Sequence, residues 1–260
     1  MFITTKQVRS TGSIAMKWFP VVIVVAILLG IWGGAIAVLR VPRFVAPGPL
    51  AVAETLAANR GLIYQNLQET ALEAVAGFAV GTAFAIGLGL LFLYIKTLRD
   101  GLLPVAIGIS TVPLVAIAPI LVLIFGQGFL SKVVMTAMIS FFPTLVNIGK
   151  GLESVEKGVL DLCHVLGASR RQVLFKVRLY AARPYLFSAL RITSTACVIG
   201  AIIAEWVGSE RGLGFLIIQE TFNFDAVLLW GVVIVSACLA TAFYLCIVGI
   251  ERVVSRYRVQ

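Results

Sequence analysis

The sequence has little of the chemistry that enzymes and metalloproteins use. It contains one histidine, His164, so a site built from several histidines is excluded. Its four cysteines show no paired spacing, which indicates neither a disulfide framework nor a zinc site. No GxxxxGK followed by Ser or Thr occurs, so the chain does not hold nucleotide phosphates through such a loop. We therefore predict no catalytic residue, no metal site and no cofactor bound by this chain.

Charge is also scarce, at 13% of residues, whereas 60% are hydrophobic and the mean hydropathy is +1.03. Such a composition does not describe a soluble domain. A helix crosses the hydrocarbon layer in about 20 residues and satisfies its own backbone polar groups there. We predict an all-α polytopic membrane protein with a single transmembrane domain over 1–260. Its six predicted spans cover about 18–39, 67–95, 102–126, 132–149, 184–208 and 226–250.

The first span has an alternative interpretation, because a basic leader before an apolar run can be a secretory signal peptide. The triplet Ala35-Ile36-Ala37 resembles a cleavage site. However, the apolar stretch from Trp18 to Leu39 is longer than the core of a signal peptide. We interpret it as an uncleaved first helix.

The net charge of +9 is distributed unevenly between the two ends of the predicted spans. With the N-terminus inside, fifteen Lys and Arg residues fall on the cytoplasmic side and five on the outer side, with Arg191 left uncounted. This asymmetry follows the positive-inside rule, and an even number of spans returns the C-terminus to the cytoplasm. Topology therefore explains the basicity, and we predict no nucleic-acid partner.

Prolines interrupt the third predicted span, at Pro104, Pro113 and Pro119. A proline inside a helix removes a backbone donor and clashes with the preceding turn, so the helix kinks or breaks. In a bundle, neighbours or water in a cavity can satisfy the freed carbonyls. We predict that Ser110 to Pro119 is a deformed helix lining a substrate pathway, with hydroxyls from Ser110 and Thr111. A structural kink alone is the alternative.

Two glutamates lie at depth, Glu73 in the second span and Glu205 at the end of the fifth. Charges inside a membrane are costly and face a cavity or a partner. Glu205 could contact a substrate, pair with an arginine, or reach out to the interface, and we include it among the pathway candidates. Glu73 is nearer the end of its span, and we predict an interfacial position for it.

Glycines at a spacing of four occur twice, at Gly77 and Gly81 and at Gly30 and Gly34. Such a pair places two positions without side chains on one helix face, where another helix can approach closely. Ordinary glycine enrichment in membrane helices is the alternative for both pairs.

The longest polar interruption, Lys150 to Pro184, is a basic, amphipathic segment between two apolar spans. Gly167 divides it into two short helical pieces. A membrane protein with a loop of this size and charge is expected to present a docking surface to a soluble partner.

The loop resembles the EAA loop of ATP-binding-cassette (ABC) importer permeases, written EAA, three residues, G, nine residues, then I-x-L-P. Asp161, Leu162 and Cys163 take the positions of EAA, followed by Gly167 and then by Val177 and Leu179 at the two apolar positions. Asp161 replaces the glutamate, Leu162 and Cys163 replace the alanines, and Tyr180 replaces the proline. Five further blocks, over about 65–250, look like permeases for nitrate, sulfonate, taurine and pyrimidine-type nutrients: Ala76–Leu91, Val112–Gly126, Phe141–Val155, Leu166–Leu179 and Gly212–Ile217.

The resemblance implies a permease subunit that moves a small nutrient across the bacterial inner membrane. It implies a second permease copy, a cytoplasmic ATP-binding dimer that holds ATP and magnesium, and an external substrate-binding protein. The segment before Gly167 is implied to be a coupling helix that docks on the ATP-binding subunit. Its residues are Asp161, Leu162, Cys163, His164, Val165, Leu166, Gly167, Ala168 and Ser169. Among the possible cargoes, the blocks IGAIIAEWVGS and VPLVAIAP favour a pyrimidine or riboflavin-like molecule.

The alternative is a stand-alone ion-coupled carrier or channel in which the basic loop is a solvated face. Ion coupling usually needs titratable groups at depth, and these are scarce here. A membrane-embedded enzyme is less favoured still, because no catalytic set can be assembled.

Overall fold

In a computed structural model, residues 14–42 and 44–256 are described, and every regular element among them is helical. A π-helical turn spans Leu174–Arg178. The helices are α1 (Ile14–Leu39), α2 (Pro49–Ala58), α3 (Arg60–Tyr94), α4 (Lys96–Ser110), α5 (Leu114–Phe125), α6 (Phe129–Glu153), α7 (Lys157–Val165), α8 (Arg170–Val173), α9 (Leu179–Glu205), α10 (Leu213–Phe222) and α11 (Ala226–Arg256).

Five described helices are long and apolar enough to cross a membrane: α1, α3, α6, the α8–α9 unit and α11. They coincide with five of the six predicted spans. The all-α polytopic class is thereby confirmed. Both chain termini, predicted to be cytoplasmic, lie outside the described residues.

The third predicted span is not one continuous helix. Residues 102–126 belong to two helices, α4 and α5, which meet at an angle of 102°. Each is too short to cross about 30 Å at 1.5 Å per residue. Pro113 causes the break, because it donates no backbone hydrogen bond and disfavours a helical Val112. At the end of α4, the hydroxyl of Ser110 donates to the carbonyl of Ile107 and that of Thr111 to the carbonyl of Gly108, both at 2.7 Å.

The core of the bundle is formed where α3 and α9 pack on α6. Gly77 and Gly81 lie on the α6-facing side of α3, and a Cβ at either position would overlap Thr136 or Ser140. The close approach predicted for this pair is therefore confirmed. Nothing lies within 4 Å of a Cβ built at Gly30 or Gly34, so that pair makes no such approach among the described residues.

Helix α1 packs at the edge of this bundle. Its apolar side chains are largely exposed, and Trp32 stacks on Trp230 of α11 with ring centroids 5.6 Å apart. Exposed apolar side chains on a spanning helix face lipid, which is as apolar as they are. The first helix thus has the surface that a membrane span requires.

Candidate transport and docking sites

Helix α7 carries the predicted coupling residues and ends in a Schellman motif. The N–H of Ala168 donates to the carbonyl of Cys163 at 2.9 Å, and that of Gly167 donates to His164 at 3.0 Å. Gly167 has φ +71°, a left-handed conformation that a residue with a Cβ adopts at a cost. The sharp exit expected at this glycine is present. The helix begins at Lys157, four residues before the predicted segment, and Ala168 and Ser169 lie beyond its end.

The apolar side chains of this segment point away from the rest of the chain. Leu162, Val165 and Leu166 are 58%, 82% and 74% exposed. Asp161 and His164 of the same segment are also exposed. An apolar patch of this kind outside the spanning helices is a candidate interaction surface.

The segment after Gly167 leads directly into the bundle. Ser169 opens α8 with a capping box, in which its side chain and that of Gln172 each bond to the other residue's backbone N–H. From Arg170 the chain stays helical through the π-helical turn to Glu205. The guanidinium of Arg178 also donates to the carbonyl of Leu152 in α6 at 2.8 Å. The segment that follows α7 is therefore tied to both α9 and α6.

A cleft of about 690 Å³ opens between α4, the start of α5 and α6. Met138, Ile139, Phe142 and Val146 of α6 form one wall, and Ile107 of α4 lies opposite. The polar groups among the described lining residues are those of Ser110 and Asn147, and none of these residues is charged.

The predicted pathway residues are only partly brought together. Ser110 lines the cleft, whereas Thr111, Pro113, Pro119 and Glu205 do not. Thr111 and Pro113 lie exposed at the α4–α5 bend, and Pro119 lies exposed within α5.

Glu205 lies in a buried polar cluster at the start of α10 and is 1% exposed. Its carboxylate accepts from the hydroxyl of Thr70 at 2.6 Å and from the N–H of Gly214 at 2.5 Å. Thr70 accepts from the N–H of Leu213 at 2.8 Å, and Asn66 accepts from that of Gly212 at 2.7 Å. The prediction that Glu205 reaches out to the membrane interface is therefore wrong, and no arginine pairs with it among the described residues.

The interfacial position predicted for Glu73 stays a prediction, and the structure places its side chain inside the bundle. Glu73 is buried and pairs with Lys132 of α6, Nζ to Oε1, at 3.0 Å. The same ammonium donates to Ser209 in the α9–α10 loop at 2.7 Å. The two charges thus pair within the chain, and Oε2 of Glu73 is buried without a hydrogen-bond partner among the described residues.

Sequence reasoning missed Asn66, Thr70 and Lys132 as members of this cluster. The signal was available for α3: Asn66, Thr70 and Glu73 recur at intervals of four and three, so they share one helix face. Three polar side chains on one stripe of an apolar helix indicate a buried polar contact. Their partner, the loop before α10, carries no comparable pattern.

A family model described as "Binding-protein-dependent transport system inner membrane component" matches residues 77–258, more than half of the chain. The chain belongs to this family. It is a transmembrane permease subunit of an ABC importer, and the stand-alone carrier is not favoured. Membership implies an ATP-binding subunit and a substrate-binding protein as the partners of this permease.

Similar proteins agree with this assignment. A probable ABC transporter permease protein of Haemophilus influenzae is 34% identical over 222 residues, 85% of this permease and 91% of that protein. The riboflavin transport system permease protein RibX of Chloroflexus aurantiacus is 30% identical over 253 residues, 96% and 94% of the two chains. The solved structure of the MetNI methionine ABC transporter, in inward facing conformations, has a TM-score of 0.66 at 20% identity. It covers 76% of this permease and 98% of that chain, which shows a shared fold.

Proposed function

We propose that the C-terminal part of α7 and its exit, residues 161–169, dock on a cytoplasmic ATP-binding subunit that hydrolyses ATP with magnesium. The observation that carries this proposal is the exposed apolar patch of Leu162, Val165 and Leu166 on a helix outside the membrane spans. A groove on the partner would remove this patch from water, which is the main favourable term in association. Asp161 supplies a polar contact at its edge.

The same docking would transmit motion to the membrane. Because Arg170 to Glu205 is helical throughout and Arg178 bonds to Leu152, displacement of α7 moves the cytoplasmic ends of α9 and α6 together. Arg99 at the start of α4 forms an ion pair with Glu153 at the end of α6. The walls of the cleft are therefore linked to the docking segment.

The complete importer is proposed to contain two copies of this permease, an ATP-binding dimer and an external binding protein in the bacterial inner membrane. The bent pair α4–α5 supports the second copy. Val105, Val115, Leu123 and Ile124 are exposed on these helices, beside a cleft open to one side. A second copy facing this cleft would enclose one pathway between the two chains, with Ser110 on its wall.

The cargo is proposed to be an aromatic heterocycle of the riboflavin or pyrimidine type. Lys and Arg donors are the usual partners of sulfonate-like anions, and the described lining of the cleft holds neither. Phe142 and Asn147 offer a stacking surface and an amide, which suit a flat ring with hydrogen-bonding edges. The relative from Chloroflexus aurantiacus is a riboflavin permease by name.

The test is ATP-driven uptake by the reconstituted complex, with riboflavin, a pyrimidine and an alkylsulfonate as cargoes. Leu166→Asp would place a charge in a desolvated contact at a cost of roughly several kcal/mol. Gly167→Pro would restrict φ and disfavour a helical Leu166. We expect both variants to insert normally but to lose uptake and co-purification with the ATP-binding subunit.

Leu166→Met is the matched control, because it keeps an apolar side chain of similar volume at the same position. It should retain uptake and the bound subunit. Normal uptake by Leu166→Asp and Gly167→Pro with the subunit still bound would show that α7 is not the docking segment.

A further inference from the structure

A second, smaller cavity of about 340 Å³ lies behind α7, between the cytoplasmic ends of α3, α7 and α8. Its polar lining comes from Tyr94, His164, Arg170 and Arg178. Leu93 and Leu174 provide apolar surface in the same cavity. No described residue that lines it is acidic, so the cavity combines concentrated positive charge with an apolar wall.

This cavity lies on the opposite face of α7 from the exposed apolar patch. Successive residues of a helix are rotated by about 100°, so His164 lies about 40° from Leu160, another lining residue. By the same count, Leu162 and Val165 lie about 200° and 140° from Leu160. A partner bound to Leu162 and Val165 therefore leaves the cavity on the side of α7 that faces the membrane.

The chemistry of the cavity matches a phosphate monoanion with an attached apolar chain. Arginine presents five N–H donors in a planar fork that fits phosphate oxygens, and Arg178 uses one nitrogen for Leu152 and keeps the others. Arg170 adds a second fork, and His164 adds a ring donor. Basic pockets at the cytoplasmic ends of spanning helices favour anionic headgroups.

The neighbouring α3 points to a lipid rather than to a soluble anion. Tyr94 is the last residue of this spanning helix. Tyrosines are enriched at the membrane–water interface, so this end of α3 lies at that level. Leu93 and Leu174 line the cavity at this level, and a soluble phosphate would leave that apolar surface in contact with water. The glycerol and first methylenes of a phospholipid would cover it.

We propose that this cavity binds the phosphate headgroup of an anionic phospholipid, with Arg170 and Arg178 as its principal ligands. The proposal rests on the proposed orientation, which places α7 at the cytoplasmic surface. It does not rest on docking of the ATP-binding subunit, because the cavity is formed by this chain alone.

The test is lipid retention by the purified permease without its partners. Native mass spectrometry would measure how many phosphatidylglycerol molecules stay bound to the permease, with phosphatidylcholine as the zwitterionic comparison. We expect phosphatidylglycerol to bind preferentially and its affinity to fall about fivefold for each of Arg170→Gln and Arg178→Gln. Arg171→Gln is the matched control, since Arg171 carries the same charge next to Arg170 but does not line the cavity.

Unequal effects of Arg170→Gln and Arg171→Gln are required by the proposal. Equal losses would assign the preference to general surface charge and overturn it, as would equal binding of both lipids. Displacement of phosphatidylglycerol by inorganic phosphate at the same concentration would mean that the cavity binds a soluble anion, and it would overturn the proposal of a lipid site. Arg170 is exposed, so its variant is expected to fold, and an unchanged thermal midpoint in phosphatidylcholine checks this.

Discussion

Three backbone N–H groups at the start of α10 need acceptors inside the bundle. The first N–H groups of any helix have no partner within it, and stranding them in a buried site costs free energy. Here the acceptors come from Asn66, Thr70 and Glu205, two of them on α3. Glu205 thus acts by fixing where α10 begins.

Removing the carboxylate should therefore destabilise the permease. Glu205→Ala strands the N–H of Gly214, at about 1–3 kcal/mol, whereas the hydroxyl of Thr70 can still donate to the carbonyl of Asn66 at 3.2 Å. At about 2–4 °C per kcal/mol, the thermal midpoint in detergent should fall by several degrees or more. Glu205→Gln keeps one acceptor oxygen, so its thermal midpoint should lie between those of the wild type and Glu205→Ala.

Glu210, exposed in the same loop, provides the control. Glu210→Gln changes the charge there without touching α10 and should leave the midpoint within about 1 °C, as surface substitutions usually do. A midpoint for Glu205→Ala as high as that of Glu210→Gln would mean that the start of α10 does not depend on Glu205.

At the scale of elements, sequence patterns predicted helices more reliably than their interruptions. Apolar length was enough to place α3, α6, α9 and α11, because a membrane span is defined by its transfer energy alone. Prolines indicated a deformed third span, yet a 102° bend depends on how α4 and α5 pack against α6, which no local pattern encodes. The same holds for Glu205, since one of its partners, Thr70, lies more than a hundred residues away on α3.

A close approach of another helix to α3 was predicted from its glycines, and the contact with α6 can be tested with two glycines of one helix. A Cβ at Gly81 would overlap the side chain of Ser140 and the carbonyl of Ala137, whereas nothing lies within 4 Å of one at Gly87. Gly81→Ala must push the helices apart, and overpacking of this kind costs about 1–3 kcal/mol. Gly87→Ala should be neutral or stabilising, since alanine favours a helix by up to about 1 kcal/mol.

Thermal midpoints of the two variants in the same detergent measure the difference. We expect Gly81→Ala to melt below the wild type and Gly87→Ala at or above it. Equal midpoints for the two variants would contradict the close contact between α3 and α6.

At the scale of the whole molecule, the docking segment, the cleft and the polar cluster at α10 are connected by a few helices. Helix α9 runs from the basic segment after Gly167 to Glu205, and α6 contacts both ends through Leu152 and Lys132. If the proposed orientation holds, α7 lies in the cytoplasm and the polar cluster lies towards the outer face. Conformational change in the ATP-binding subunit would then be transmitted to the outer half of the permease by movement of rigid helices rather than of loops.

The orientation itself can be measured with single cysteines in a background where the four native cysteines are replaced. Fifteen cytoplasmic against five outer cations place Ser169 inside and Ala58 outside, and both residues are exposed in the fold. A membrane-impermeant thiol reagent applied to intact cells should label Ala58→Cys and miss Ser169→Cys. Permeabilised cells that express the permease without its ATP-binding subunit serve as the control, because there both cysteines should react. Labelling of Ser169→Cys alone in intact cells would mean that the permease has the opposite orientation in the membrane. Helix α7 would then face away from any ATP-binding subunit.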